Sequence, residues 1–276
     1  MSTTTTAAAA ATSWPITAYK PRHTTWPYTP ADFTRSDPST DDRFYSVPRF
    51  VTHIDDAAIA SLRNYYDAIL PRSGRVLDFC SSWVSHYPER VESAVKAGEL
   101  RVVGLGMNRA ELEANDVLNG GRGVVDLNLK PDVGAALREM EAKDGVDGGG
   151  LLDAATNVVS TDYLTQPVEV LRSLRDVMQE GGRVHLVISN RCFPTKAIDR
   201  WLKVSEEERL NMVGDFLHFA GWKEIEIVEL SSGKVDGDEG NGGAGGAQRS
   251  LQNFMSWMGM ASRDPLWVVR AVKRGD

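Results

Sequence analysis

The chain has 276 residues, 42% of them hydrophobic and 25% charged, with a formal net charge of −7. That is enough apolar side chain for one large α/β domain with extensions, or for two small domains. The acidic balance argues against extended contact with nucleic-acid phosphates, which needs a basic face, and no run of about 18 apolar residues marks a membrane span.

The opening MSTTTTAAAAATSWP lacks the basic region and long apolar core of a secretory signal. The absence of acids before Asp32 fits an organelle transit peptide; the plainer expectation is a disordered tail over 1–13 on a cytoplasmic protein. The two cysteines, Cys80 and Cys192, lack metal-ligand spacing and suit a reducing compartment.

Residues 14–51 contain Pro15, Pro21, Pro27, Pro30, Pro38 and Pro48, which forbid a long helix. The same stretch carries Trp14, Tyr19, Trp26, Tyr28, Phe33, Phe44, Tyr45 and Phe50. Disordered tails are poor in aromatics, so these residues are expected to lie across the surface of a domain that starts at Thr52. Thr52 and Asp55 resemble a capping box. Ile59, Leu62, Tyr66 and Ile69 follow at helical spacing, and Pro71 and Gly74 stop the helix.

Strands and helices then alternate: RVLDF and PERVESAVKAG, LRVVGLG and NRAELEAND, GRGVVDLN and KPDVGAALREMEAK, GGLLDAATNVV and QPVEVLRSLRDVMQEGG, with RVHLVIS as a fifth strand. Helices are predicted at PTKAIDRWLK and SEEERLNMVGDFLHFAG, the second capped by Ser205 and Glu208 with Leu210, Val213 and Leu217 inward. KEIEIVEL and PLWVVRAVK close the chain as strands whose alternation suits a sheet edge. Between them, 231–264 holds the glycine-rich SGKVDGDEGNGGAGGAQ, expected to be a mobile loop. SLQNFMSWMGM follows, and its Phe254, Met255, Trp257, Met258 and Met260 suit either packing over the hairpin or a lid for an apolar acceptor. Five β–α units in series imply a parallel sheet covered on both faces. With the closing strands this predicts an α/β fold, doubly wound, mainly parallel and seven-stranded.

In such a sheet, ligands bind beyond the carboxyl ends of the strands, close to the first one. The decisive stretch is therefore RVLDFCSSWVSHYPE, Arg75 to Glu89. Dinucleotide enzymes carry G-x-G-x-x-G there. This chain has no such string and has Asp78 inside the strand end, which speaks against a nicotinamide oxidoreductase. Cys80, Ser81 and Ser82 are small enough for close backbone approach, and the serines add hydrogen bonds; Trp83 and Val84 are not small.

VLD before a turn, VVGLG, VVDLN, LLDAATNVV and VMQEGGRVHLVIS together resemble the class I S-adenosylmethionine-dependent methyltransferases from Val76 to Ser189. LRSLRDVMQEGGRVHLVISN is the most specific element, and the closing strands fit that fold's hairpin with an antiparallel last strand. FYSVPRFVTHID before the first strand and SSWVSH after it are similar to a type 11-like branch in which this loop replaces the glycines.

The resemblance implies S-adenosylmethionine as cofactor and a small-molecule acceptor. It assigns cofactor contacts to Asp78, Cys80, Ser81 and Ser82, and to Gly106, Met107 and Asn108 after the second strand. Asp126 and Leu127 are assigned to the adenine, and Asn157 lies beside the sulfonium. Gly106 stands where the family places the acid that grips the ribose, with Asn108 offering a neutral hydrogen bond instead.

Methyl transfer asks the protein to align the acceptor and exclude water, to face the sulfonium with aromatic rings and, for some acceptors, to supply a base. His86, His53 and Tyr163 are the catalytic candidates; Tyr45, Arg49, Trp83 and Arg191 are the candidates to surround the acceptor, Arg49 being suited to an acidic one. Each also has a plainer reading as cap, packing or surface residue. Cys80 and Cys192 follow strands one and five, roughly 10 Å apart with strand four between them. That exceeds disulfide reach, so free thiols are expected; a pair gripping a soft metal is a further option. The rival from another class is a silent or repurposed binding or regulatory protein on the same scaffold. Base methylation of nucleic acid is disfavoured because no Asn/Asp-Pro-Pro-aromatic string occurs. Monomer and homodimer both stay open.

Overall fold

The computed structural model describes residues 14–144, 150–233 and 263–275. Its strands are β1 (Ile16–Ala18), β2 (Gly74–Ser81), β3 (Leu100–Gly106), β4 (Arg122–Val124), β5 (Leu152–Val158), β6 (Met178–Ser189), β7 (Lys223–Ser231) and β8 (Leu266–Val272). They form one sheet in the order β1-β7-β8-β6-β5-β2-β3-β4. Neighbours from β4 to β6 are parallel, while β8 is antiparallel to both β6 and β7.

The helices are α1 (Asp41–Phe44), α2 (Asp56–Ile69), α3 (Glu89–Lys96), α4 (Arg109–Ala114), α5 (Val133–Asp144), α6 (Pro167–Asp176), α7 (Asp199–Lys203) and α8 (Glu206–Phe219). Successive strand residues point to opposite faces, and the sheet is covered on both. Val76, Val102 and Ala154 share a core with Leu62 and Tyr66 of α2 and Val91 of α3. Leu77, Phe79 and Leu105 share the other with Leu137 of α5, Leu171 of α6 and Phe216 of α8. This is the doubly wound arrangement that the alternating pattern implies, and its last strand is reversed.

Several elements differ from the sequence expectation. The sheet has an eighth strand, because Ile16–Ala18 lies antiparallel on β7. The closing strands are therefore not bare edges: β8 is interior, and β1 covers part of β7. Asp55 is itself the N-cap of α2, its side chain accepting from the Ala58 N–H, so the Thr52–Asp55 box does not form the cap. The helix α6 stops at Asp176, and Gln179–Gly182 belong to β6 instead of ending a helix. GRGVVDLN shrinks to Arg122–Val124, and PTKAIDRWLK to Asp199–Lys203. The Phe254–Met260 cluster and nearly all of the glycine-rich stretch lie outside the described residues.

Residues 14–51 pack on the sheet and its helices. Asp215 of α8 is fully buried and accepts from Tyr19 Oη and Tyr28 Oη, both at 2.5 Å, and from Arg22 Nη2 at 2.6 Å. Further along, Lys196 Nζ is buried against Ser39 O at 2.7 Å and Asp41 Oδ1 at 3.4 Å. These two latches carry the segment 45–53 across the carboxyl ends of the central strands, where it becomes a strap.

Candidate functional site

Pairing of β2 with β3 runs in register to Phe79 opposite Leu105, then slips so that Ser81 faces Gly106. Cys80 is the bulged residue, at φ +54°, a conformation glycine adopts most readily. At Gly106 a Cβ would lie 2.2 Å from the Ser81 carbonyl oxygen. The glycine that close approach demands thus sits on β3, not in the loop, and position 106 has no room for an acid.

Side chains hold the loop instead. Asp78 Oδ2 accepts from Ser81 Oγ and Ser85 Oγ, each at 2.7 Å. Asn115 Nδ2 donates to Ser82 O at 2.9 Å and Ser85 Oγ at 3.0 Å. Ser82 Oγ donates to Glu111 Oε2 at 2.7 Å, and the strap's Arg49 N–H donates to Glu111 Oε1 at 2.6 Å. This chain of bonds delivers a buried carboxylate to the end of β3, beside Gly106. Trp83 stands at the wall, its Nε1 donating to Val51 O at 3.1 Å and its ring meeting Phe50 edge-on.

A cavity of about 360 Å³ opens there, within the range of small-molecule sites. The β2 end and its loop contribute Asp78, Cys80, Ser81, Ser82, Trp83 and His86. Gly106, Met107 and Glu111 come from the β3 side, Asp126 and Leu127 from beyond β4, Tyr163 from beyond β5, and Arg191 and Phe193 from beyond β6. The strap adds Tyr45, Arg49 and His53.

Two of the residues singled out in the sequence lie outside this wall. Asn108 caps α4, its Oδ1 accepting from Glu111 N, and its Nδ2 donates to Tyr45 O at 2.8 Å. Asn157 is fully buried, donating to Phe79 O at 3.0 Å and accepting from Thr161 Oγ1 at 2.9 Å. Glu111, Asn115, Ser85 and Phe193 were missed in the sequence. For Glu111 the available signal is N-R-A-E at the start of α4, a helix-start string whose acid turns to the strap.

Backbone strain gathers at the same place. Cys80, His86 and Val159 all have positive φ and all line the cavity; for a β-branched residue such as Val159 this is a genuine outlier. Burial also moves the titrations. It pushes Asp78 up to about 6, against the opposing hydrogen bonds of Ser85, Ser81 and Thr156, and the Cys80 thiol up to about 12. It takes His86 down to about 4, with Arg63 and His53 adding to the shift. His53 is lowered by burial, with Glu111 opposing. Both imidazoles are therefore neutral at pH 7. Asp162, sealed next to Tyr163, is pushed by burial up to about 8, and its Oδ2 has no hydrogen-bond partner among the described residues. Cys80 and Cys192 are free thiols that both line the cavity.

No protein-family model and no curated relative matches the sequence. Among solved structures, a SAM-dependent methyltransferase from Archaeoglobus fulgidus is 14% identical over 79% of this chain and 95% of its own, with a TM-score of 0.46. The [4+2]-cyclase SpnF is 13% identical over 85% and 92%, at 0.49. A possible histamine N-methyltransferase from Thermotoga maritima is 14% identical over 85% and 94%, at 0.44. The fold assignment rests on the strand order itself. With β5 between β2 and β6, and β8 reversed, the sheet has the Rossmann-like methyltransferase topology. Among the described residues no helix is long and apolar enough to cross a membrane.

Proposed function

We propose that the chain is an S-adenosylmethionine-dependent methyltransferase acting on a small molecule, with 14–51 as an extension on a catalytic domain spanning 52–276. The observation that carries this reading is the cavity beyond the carboxyl ends of β2 to β5, with Glu111 and Asp126 on its β3–β4 side. Ligands of doubly wound sheets bind there.

The residues present fit the cofactor. Each oxygen of Glu111 accepts one bond from the protein and keeps a lone pair for a ribose hydroxyl, doing from α4 what no side chain at 106 can do. Asp126 would take the adenine amine, and Leu127 and Leu105 the ring. Carboxyls and the rings of Tyr45 and Tyr163 favour a cationic sulfonium. By contrast α3 begins with Glu89 and Glu92 in its first turn, which repels a pyrophosphate and disfavours a dinucleotide.

When bound, the cofactor supplies an electrophilic methyl group. The chain's own part is to seat the acceptor under the strap, keep water out and take a proton where the acceptor carries one. His53, neutral and edge-on to Phe193 at 5.3 Å, is placed on the acceptor side for that task.

Calorimetry with S-adenosylmethionine and with its demethylated product tests the reading. Both should bind, and Glu111→Gln, which keeps the shape of the side chain, should weaken both about tenfold. Absence of binding to either at millimolar concentration would leave a silent scaffold. One observation favours that second reading: Asp78, Ser81, Ser85 and Asn115 satisfy one another without any ligand.

A further inference from the structure

We propose that the acceptor is a planar carboxylate, its anionic group received by Arg49 and its flat body by Phe193 and Tyr163. The inference rests on the methyltransferase reading for the word acceptor, but the anion subsite stands on its own geometry.

Arg49 holds its guanidinium 4.5 Å from the centroid of Phe44, 5.4 Å from Phe193 and 5.7 Å from Tyr45. Its Nη2 donates to Phe44 O at 3.0 Å, while its Nη1 is sealed from water with no hydrogen-bond partner among the described residues. A buried charged donor left unanswered costs free energy that an arriving acceptor oxygen removes.

The cavity's own carboxyls are engaged elsewhere. Asp41 is held by Arg35 at 2.8 Å and Asn128 at 2.9 Å, Asp78 by two serines, Glu111 by Ser82 and a backbone N–H, and Asp126 by the Asn128 N–H at 2.8 Å. Arg191, the other guanidinium in the wall, already gives its Nε to Asp264 at 2.7 Å. Arg49 is therefore the cation in this wall that lacks a carboxylate within ion-pair distance among the described residues.

The surroundings are flat. Tyr163 and Phe193 stack at 6.1 Å with 28° between their planes, fixed by the Phe193 N–H donating to Tyr163 Oη at 2.8 Å. Phe193 is half-buried at the cavity wall, with its ring centroid 5.4 Å from the guanidinium carbon of Arg49. A planar body beside these rings, with a carboxylate against the guanidinium, satisfies both features. A bidentate anion also suits the fork geometry of arginine.

The test is calorimetry on the full chain with benzoate and with neutral benzamide, each in the presence of S-adenosylhomocysteine. Benzoate should bind about tenfold or more tightly than benzamide. Arg49→Gln should erase that preference while S-adenosylhomocysteine affinity stays in place. The comparison on the unmodified chain decides even if the variant folds poorly. Equal affinities, or no benzoate binding at millimolar concentration, overturn the proposal. So does an Arg49→Gln variant in which S-adenosylhomocysteine affinity falls together with that of benzoate, since Arg49 would then serve the cofactor. If S-adenosylhomocysteine fails to bind but the preference for benzoate persists, the anion subsite stands and the methyl-transfer reading falls.

Discussion

At position 106 a Cβ would press on the backbone of Ser81, and backbone in a packed sheet yields far less than the tip of a flexible side chain. Gly106→Ala should therefore lower stability by about 1–3 kcal/mol in denaturant unfolding, and Gly106→Asp should cost more without creating a ribose ligand. An Ala variant of unchanged stability would show that the bulge relaxes, and the account of the loop would need rebuilding. That the stretch Cys80–Val84 holds no glycine is open in the sequence. What it does not display is that Cys80 itself takes up the left-handed turn, or that the carboxylate tied to the loop and the strap comes from Glu111. Both depend on where β2 and β3 slip in register, which is decided by a pairing between segments distant in the chain.

Among the elements, the amino-terminal extension depends most on tertiary context. Its first latch is one carboxylate, Asp215, with three donors from Tyr19, Tyr28 and Arg22. The backbone fits because Gly214 leaves room: a Cβ there would sit 2.3 Å from the Tyr19 ring. Asp215→Ala should destabilise by about 3 kcal/mol, near 1 per lost bond, and limited proteolysis should then cut within 14–51 before touching the sheet. Unaltered cleavage would mean that the Lys196–Asp41 latch alone holds the strap.

Long periodic elements were legible: α2 and α8 follow their apolar spacing, and Ser205 caps α8 by accepting from Glu208 N. Short or shared ones were not. The three residues of β1 are too few to show alternation and are strand only because β7 offers an edge. Val177 and Met178 are apolar enough to extend α6 or to begin β6, and the pairing of Met178 with Leu152 settles it.

For the whole molecule, four buried groups write a pH signature. Burial raises Asp78 to about 6 and Asp162 to about 8, and lowers His86 to about 4 and His185 to about 3. Above the usual carboxylate range, the two folded acids keep protons that the unfolded chain has lost, so their contribution to stability declines as pH rises. Below the usual histidine value, the two folded imidazoles stay bare while unfolded ones protonate, which gives the opposite slope. The two effects offset each other between about pH 4 and 6. From about pH 6.5 to 8 only Asp162 of these four still titrates, and stability should fall by about 2 kcal/mol. Asp162→Asn should flatten that interval in guanidinium unfolding; an undiminished fall would assign it to another group.

The small strand Ile16–Ala18 has a consequence for how copies of this chain meet. Pairing with Glu226–Val228, flanked by the bonds from Tyr19 N to Ile225 O and from Glu229 N to Pro15 O, it covers the middle of the nine-residue β7 and becomes the border strand itself. The opposite border, Arg122–Val124, is only three residues long. Among the described residues both borders of the sheet are thus three-residue strands, which give only a short template for cross-molecule strand addition.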